Sequence, residues 1–214
     1  MNIPAVKIKV CGLKYPENIL EIAALSPDYL GFIFYEKSPR YAGSLDPEIM
    51  KRIPPDIKKT GVFVNESVGK VLEIACKYML DVIQLHGEET PAQCLECKLN
   101  GYEVIKAIPV KDRLDHLMIA GYLTSVNYLL FDTASGIKGG TGRRFNWDLI
   151  REYHGFIPFF LSGGVGPDSI PDIIKIMKTP WLYAVDINSR FETGPGVKDF
   201  VLISQFIKNL CNNE

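Results

Sequence analysis

Four side chains with the chemistry to move a proton or hold an anion each close or follow a short apolar run. Cys11 ends the run Val6-Lys7-Ile8-Lys9-Val10 and is followed at once by Gly12. His86 ends Gln84-Leu85, before Gly87. Asp132 comes directly after Leu129-Leu130-Phe131, and Arg40 follows the proline-stiffened Ser38-Pro39. A thiol is the most easily ionised small nucleophile or base, and local charge governs its reactivity. A carboxylate behind three large apolar residues is expensive to bury unless it is paired or used. The planar fork of an arginine suits a carboxylate or a phosphate. An imidazole either serves a ligand as hydrogen-bond partner, acid or base, or is tied to a backbone carbonyl. Each also has a plainer reading: Cys11 as a small core hydrophobe, Arg40 in a surface ion pair.

The elements that must position these groups follow from hydrophobic periodicity. Short β-branched or aromatic runs predict strands over Val6 to Cys11, Tyr29 to Phe34, Thr60 to Val64, Val82 to Leu85, Glu103 to Ile108, Tyr128 to Phe131, Phe159 to Leu161 and Ala184 to Ile187. Amphipathic runs predict helices over Pro16 to Ala24, Asp46 to Ile53, Ser67 to Tyr78, Pro91 to Leu99, Arg113 to Tyr122, Trp147 to Tyr153, Pro167 to Met177 and Lys198 to Leu210. Several open on capping or first-turn residues, such as Asp46-Pro47-Glu48 and Thr90-Pro91. Strands alternating with helices imply parallel pairing through right-handed crossovers. Eight such units, with no Pro-, Gly- or Ser-rich linker between them, predict one α/β domain over residues 1–214: a single closed (β/α)8 TIM barrel. An open doubly wound sheet would carry a glycine-rich phosphate turn after its first strand, and Cys11-Gly12-Leu13-Lys14 is not one.

In such a barrel, chemistry collects at the C-terminal ends of the strands. Cys11, His86 and Asp132 then face one mouth, with Arg40 on a loop above it. Strand seven runs into Ser162-Gly163-Gly164, where two glycines let the backbone approach a ligand. Strand eight ends Asp186-Ile187-Asn188-Ser189-Arg190, a polar segment with several donors; Ser189 and the backbone suit a phosphate, and Arg190 either adds charge or points away. Barrels often bind phosphate between these two loops. The loop Gly136 to Gly142, which contains Gly140, can wrap its N–H groups over an anion or act as a flexible lid. Lys106, within strand five, could form a Schiff base or bind an anion; it could also pair with a carboxylate inside the barrel or reach the barrel rim, and a structural or electrostatic role is favoured. Together these groups suggest an enzyme acting on a small sugar phosphate, with Asp132 as acid and Cys11 as base. Lys9, two residues from Cys11 on the same strand face, is the first candidate for making the thiolate available.

Composition narrows the partners. The 214 residues carry 24 basic and 25 acidic side chains and are 47% hydrophobic, an ordinary globular balance. Neither charge sign is in surplus, so neither nucleic acid nor an anionic membrane is expected as partner. No apolar run is long enough to span a bilayer. Met1-Asn2-Ile3-Pro4 does not read as a secretory leader. Five scattered cysteines, an odd number, fit a reducing cytoplasm. Cys94-Leu95-Glu96-Cys97 hints at redox or zinc chemistry, but no second Cys or His pair is spaced to complete a zinc site, and the motif is read as mostly structural.

Taken in order, Lys9-Val10-Cys11-Gly12, Leu30 to Phe34 leading to Ser38-Pro39-Arg40-Tyr41, Gly61-Val62-Phe63-Val64-Asn65, Gln84-Leu85-His86-Gly87, Phe131-Asp132-Thr133, Gly139-Gly140-Thr141-Gly142 with Phe145-Asn146-Trp147, Leu161-Ser162-Gly163-Gly164 and Pro195-Gly196-Val197-Lys198-Asp199 resemble the phosphoribosylanthranilate isomerase family over essentially the whole chain. The resemblance implies an Amadori rearrangement in tryptophan synthesis. It implies Asp132 as the acid that opens the ribose ring, Cys11 as the base that removes the C2 proton, and Arg40 as the partner of the anthranilate carboxylate. Gly163, Gly164 and the segment Asp186, Asn188 and Ser189 match the phosphate site. No metal or organic cofactor is implied, because the substrate nitrogen serves as electron sink. The chain departs from the common family pattern at Leu13-Lys14 and at Asn188-Ser189-Arg190. Monomer and homodimer look alike at this level. Other phosphate-binding barrels, such as indole-glycerol-phosphate synthase or a ribulose-phosphate epimerase, need residue sets that this chain lacks. A barrel that binds a phosphorylated ligand without turnover is the non-enzymatic alternative.

Overall fold

The computed structural model describes residues 6–133 and 145–212. Eight strands close into a barrel in chain order: β1 (Lys7–Cys11), β2 (Tyr29–Ile33), β3 (Lys58–Phe63), β4 (Val82–Leu85), β5 (Glu103–Val110), β6 (Tyr128–Thr133), β7 (Phe159–Leu161) and β8 (Leu182–Ile187). Every neighbouring pair is parallel, and β1 pairs with β8 to shut the ring. The expected single (β/α)8 barrel is therefore the observed architecture. Among the described residues no helix is long and apolar enough to cross a membrane.

Among the described residues six α-helices lie outside the strands: α1 (Pro16–Ala23), α2 (Val68–Lys77), α3 (Pro91–Leu99), α4 (His116–Ala120), α5 (Ile170–Met177) and α6 (Phe200–Cys211). Local chemistry sets their starts. Thr90 and Gln93 form a reciprocal capping box on α3, and Asp199 accepts from the Leu202 N–H on α6. Two expected helices are 3-10 instead, Pro47–Arg52 and Trp147–Glu152. The first opens on Pro47, capped by Asp46, and is followed by Pro54-Pro55, which stop any helical continuation. The segment expected as a helix from Arg113 begins only at His116, where Asp115 caps it. A further correction bears on function. Lys198 does not open the last helix; it ends a two-stranded hairpin, β9 (Glu192–Gly194) with β10 (Val197–Lys198), which follows β8.

Side chains alternate along each strand, so one set faces the barrel interior and the other faces the helices. The outward set merges with the helices into the main core, which includes Val10, Leu30, Phe63, Phe131, Ile173 and Phe206. The inward set fills the lower barrel with Tyr29, Val82, Ile105, Leu130, Phe160 and Ala184. Higher up, Cys11, Ile33 and Val62 form a separate small cluster below the mouth. The interior is therefore plugged with apolar side chains at its base and turns polar at the C-terminal end, where ligands enter such barrels.

Candidate active site

Cys11 is the last residue of β1 and only 4% exposed. Strand register aligns Lys9 with Asp186 of β8 across the barrel seam, and Lys9 Nζ lies 2.8 Å from Asp186 Oδ1. Both side chains are buried, and the other Asp186 oxygen accepts from Ser162 Oγ at 3.2 Å. The Lys9 ammonium also acts electrostatically on the Cys11 side chain. Burial pushes the Cys11 thiol up, while the ammonium groups of Lys9 and Lys198 pull it back. Burial alone would favour deprotonation of Lys9, but Asp186, together with Cys11, overcomes this and holds the ammonium above its usual range. Lys9 thus stays charged beside a thiol that needs a cation to ionise.

Gly12 follows with φ of +81°, in the left-handed region. A Cβ there would come within 2.6 Å of Asn188 Oδ1 and 2.7 Å of Arg40 Cδ, so the glycine lets both residues close over the end of β1. Arg40 is buried and bidentate on Glu192: Nε lies 2.8 Å from Oε1, and Nη2 lies 2.6 Å from Oε2. Lys198 Nζ sits 2.7 Å from both Glu192 Oε1 and Asn188 Oδ1. Burial draws Lys198 down to about 8 against the pull of Glu192. The pair of cations holds the Glu192 carboxylate below its usual range, although burial works the other way.

Across the mouth, Asp132 lies within β6 rather than just past it. His86 Nε2 is 3.0 Å from Asp132 Oδ2, and Gln84 Nε2 is 2.9 Å from His86 Nδ1. The Gln84 amide and the Asp132 carboxyl thus hold the two ring nitrogens of His86 between them. His86 therefore orients the acid candidate, an arrangement that the two sequence readings of His86 did not include. The second Asp132 oxygen accepts from the Thr133 N–H at 2.8 Å. Gly163 packs directly on this corner with φ of +79°.

Gly164 also has positive φ, 73°, so β7 ends in two successive left-handed glycines. Ser189 begins the 3-10 turn Ser189–Phe191 after β8. Arg190 leans back across this gap: its guanidinium pairs with Asp168 at 3.0 Å and donates to Gly164 O at 3.3 Å. Gly163, Gly164, Asn188 and Ser189 thus meet between the last two strand ends. Asp186 lies deeper, with both oxygens engaged by Lys9 and Ser162. Gly140 lies outside the described residues.

Lys106 has the structural role favoured for it. It points outward beneath the β4–α3 loop, bonding Leu85 O, Gly87 O and the buried Glu89 carboxylate at 2.9 Å. Glu89 in turn accepts the Asn65 and Gly87 N–H groups. Together they clamp the loop that carries His86. Cys94 and Cys97 lie buried on α3, where burial pushes their thiols up to about 12 and about 11, so both remain inert. All five cysteines are unbridged.

The sequence reading missed Gln84, Glu192 and Lys198 as site residues. A signal existed for the last two: opposite charges flank Gly194-Pro195-Gly196, a turn sequence that folds its flanks into a hairpin.

An acid candidate and a base candidate sharing the C-terminal mouth of a closed barrel mark a class, the (β/α)8-barrel enzymes that work by proton transfer. Within that class the chain belongs to the N-(5'-phosphoribosyl)anthranilate isomerase family: the model of that family, described as N-(5'phosphoribosyl)anthranilate (PRA) isomerase, matches residues 8–209. The chain is 40% identical over 209 residues to the N-(5'-phosphoribosyl)anthranilate isomerase of Parabacteroides distasonis, covering 96% of this chain and 93% of that one. It is similar to the crystal structure of the phosphoribosyl anthranilate isomerase of Thermotoga maritima, with a TM-score of 0.83 and 36% identity over 97% of this chain and 99% of the other. A further crystal structure, of a phosphoribosyl anthranilate isomerase in complex with reduced 1-(o-carboxyphenylamino)-1-deoxyribulose 5-phosphate, matches with a TM-score of 0.80 and 35% identity over 97% and 99% of the two chains.

Proposed function

We propose that this chain catalyses the Amadori rearrangement of N-(5'-phosphoribosyl)anthranilate to 1-(o-carboxyphenylamino)-1-deoxyribulose 5-phosphate, the isomerisation that its family performs in tryptophan synthesis. The observation that carries the reading is the pairing of an oriented carboxyl at the end of β6 with a lysine-flanked thiol at the end of β1, in a chain of this family. Asp132 gives its proton to the ribose ring oxygen, the C1–O bond breaks, and the aryl nitrogen supplies the electrons that form a Schiff base. Cys11, as thiolate, then takes the proton from C2. The C–H electrons form the C1–C2 double bond, the iminium electrons return to nitrogen, and the enolamine tautomerises to the ketone. His86 keeps the acid pointed at the ring, and Lys9 keeps a positive charge beside the base.

The rest of the mouth fits the rest of the substrate. The glycine pair that follows β7 and the Asn188–Ser189 segment present backbone and hydroxyl groups where barrels hold phosphate, with Arg190, paired to Asp168, bordering them at the rim. Arg40 takes the anthranilate carboxylate. The substrate is thus a small anionic molecule, and the unbridged cysteines fit work in the cytoplasm.

The test is a fluorescence assay of phosphoribosylanthranilate consumption, with the substrate generated in situ. The purified chain is expected to consume it. No turnover by the folded wild type would overturn the reading in favour of a barrel that only binds a phosphorylated ligand.

A further inference from the structure

We propose that Glu192, held by the β9–β10 hairpin, is the positioning residue that sets this site's preference for a carboxylated aryl amine. This rests on the reading of Arg40 as the carboxylate's partner. A guanidinium is flat and offers two usable bidentate edges, a side-on edge through Nε and Nη2 and an end-on edge through Nη1 and Nη2. Glu192 occupies the side-on edge, with both of its oxygens engaged. Among the described residues Nη1 donates to no acceptor. One edge of Arg40 is therefore spent on holding the group still, and the other is left for a planar anion.

Glu192 is itself held from behind. Its Oε1 accepts from Lys198 Nζ at 2.7 Å and from the Gly196 N–H at 3.1 Å. Lys198 is fixed in turn by its backbone: its N–H donates to Asn18 Oδ1 at 2.7 Å, and its carbonyl accepts from Asn18 Nδ2 at 2.9 Å, which ties the hairpin to α1. Gly196 turns the hairpin with φ of +84°. Pro195-Gly196-Val197-Lys198-Asp199 thus returns a lysine to the glutamate six residues earlier, so that an arginine 152 residues away in sequence is aimed. Arg40 and Lys198 against one Glu192 leave the buried cluster one positive charge in excess, which an incoming carboxylate neutralises. A long side chain on a loop would otherwise lose much of its rotamer freedom on binding; here that ordering is already made.

The test compares two ligands on the full chain: reduced 1-(o-carboxyphenylamino)-1-deoxyribulose 5-phosphate and its counterpart without the ring carboxylate. Wild type is expected to prefer the carboxylated ligand at least tenfold. Glu192→Gln keeps the shape but turns an amide donor toward Arg40; it is expected to lose most of that preference, with KM rising more than kcat falls. Arg40→Ala is expected to lose it as well. If folded Glu192→Gln keeps the full preference while Arg40→Ala loses it, positioning by Glu192 is overturned and the role of Arg40 stands. If Arg40→Ala keeps the preference, the reading of Arg40 falls and the proposal with it. A purely structural Glu192 would weaken both ligands equally and leave the ratio unmoved, which also overturns the proposal. Should Glu192→Gln not fold, Glu192→Asp, which keeps the charge but draws it back by one methylene, is expected to show an intermediate preference; an unchanged one overturns the proposal.

Discussion

Lys9 and Asp186, 177 residues apart in sequence, meet at 2.8 Å across the seam where the barrel closes, directly beneath Cys11. Asp186 keeps Lys9 charged, and the Lys9 ammonium works against the burial that raises the Cys11 thiol. Closure of the fold and activation of the base candidate therefore depend on the same contact.

Lys9→Met removes that cation. A thiolate without it is less stable, so the Cys11 pKa, already raised by burial, rises further. The acid-side limb of the kcat/KM profile is expected to move to higher pH, with activity at neutral pH down by at least tenfold. The substitution also leaves Asp186 buried and unpaired, at about 3–5 kcal/mol. Lys9→Met with Asp186→Asn restores stability and brings the profile only part of the way back, because Asp186 itself raises the Cys11 thiol by less than Lys9 lowers it. A profile that stays in place would show that Lys9 does not act on Cys11.

Cys11→Ala and Asp132→Asn each remove one candidate proton-transfer group. Each is expected to lower kcat by about 10²–10⁴-fold, the usual range for a lost general acid or base, with thermal melts close to wild type. His86→Ala should have a smaller effect than Asp132→Asn, since it only frees the acid to turn. Near-wild-type turnover in either of the first two variants rules out the mechanism.

Gly163→Ala tests the corner behind the acid. The new Cβ would lie 2.5 Å from Thr133 Oγ1 and 3.0 Å from Asp132 Oδ1, at φ of +79°. A loss of about 1–3 kcal/mol from backbone strain is expected, together with a fall in kcat of tenfold or more as Asp132 shifts. Gly101→Ala is the control: its φ is +91° but a Cβ meets nothing within 4 Å, so stability alone should fall. Equal kcat in the two variants would mean that Gly163 does not hold the acid in place.

Glu89 provides a stability readout away from the chemistry. Burial would raise its pKa, but Lys106 and the backbone N–H groups hold it below the usual carboxylate range. A carboxylate lowered in the folded state contributes stability that is complete above its unfolded pKa, about 4.3, and is lost as pH falls through its folded value. Glu89→Gln should remove this part of the acid dependence of Tm, whereas Lys106→Met, which strands Glu89, should cost about 3–5 kcal/mol at neutral pH. An unchanged Tm in Lys106→Met would rule out the clamp.

The barrel was legible in the sequence because the two periodicities that define it are local. Alternation within five- or six-residue runs, and amphipathic runs between them, leave a parallel ring as the compact solution for eight units. The positions of Cys11, His86 and Asp132 were legible for the same reason: a strand end is a local property, and the fold sends all strand ends to one mouth. What each charged group is for was not local. Lys9 with Asp186, Arg40 with Glu192 and Lys106 with Glu89 are partners only once the chain has closed, since a buried ion pair is chosen by which side chains desolvation leaves facing each other. Sequence alone thus determined a barrel with an acid candidate and a base candidate at its open end. Tertiary structure decided which cation lies beside the thiol, which carboxylate pairs with the arginine, and that the helix expected at Lys198 is instead a hairpin strand, because those outcomes depend on the distances that barrel closure creates.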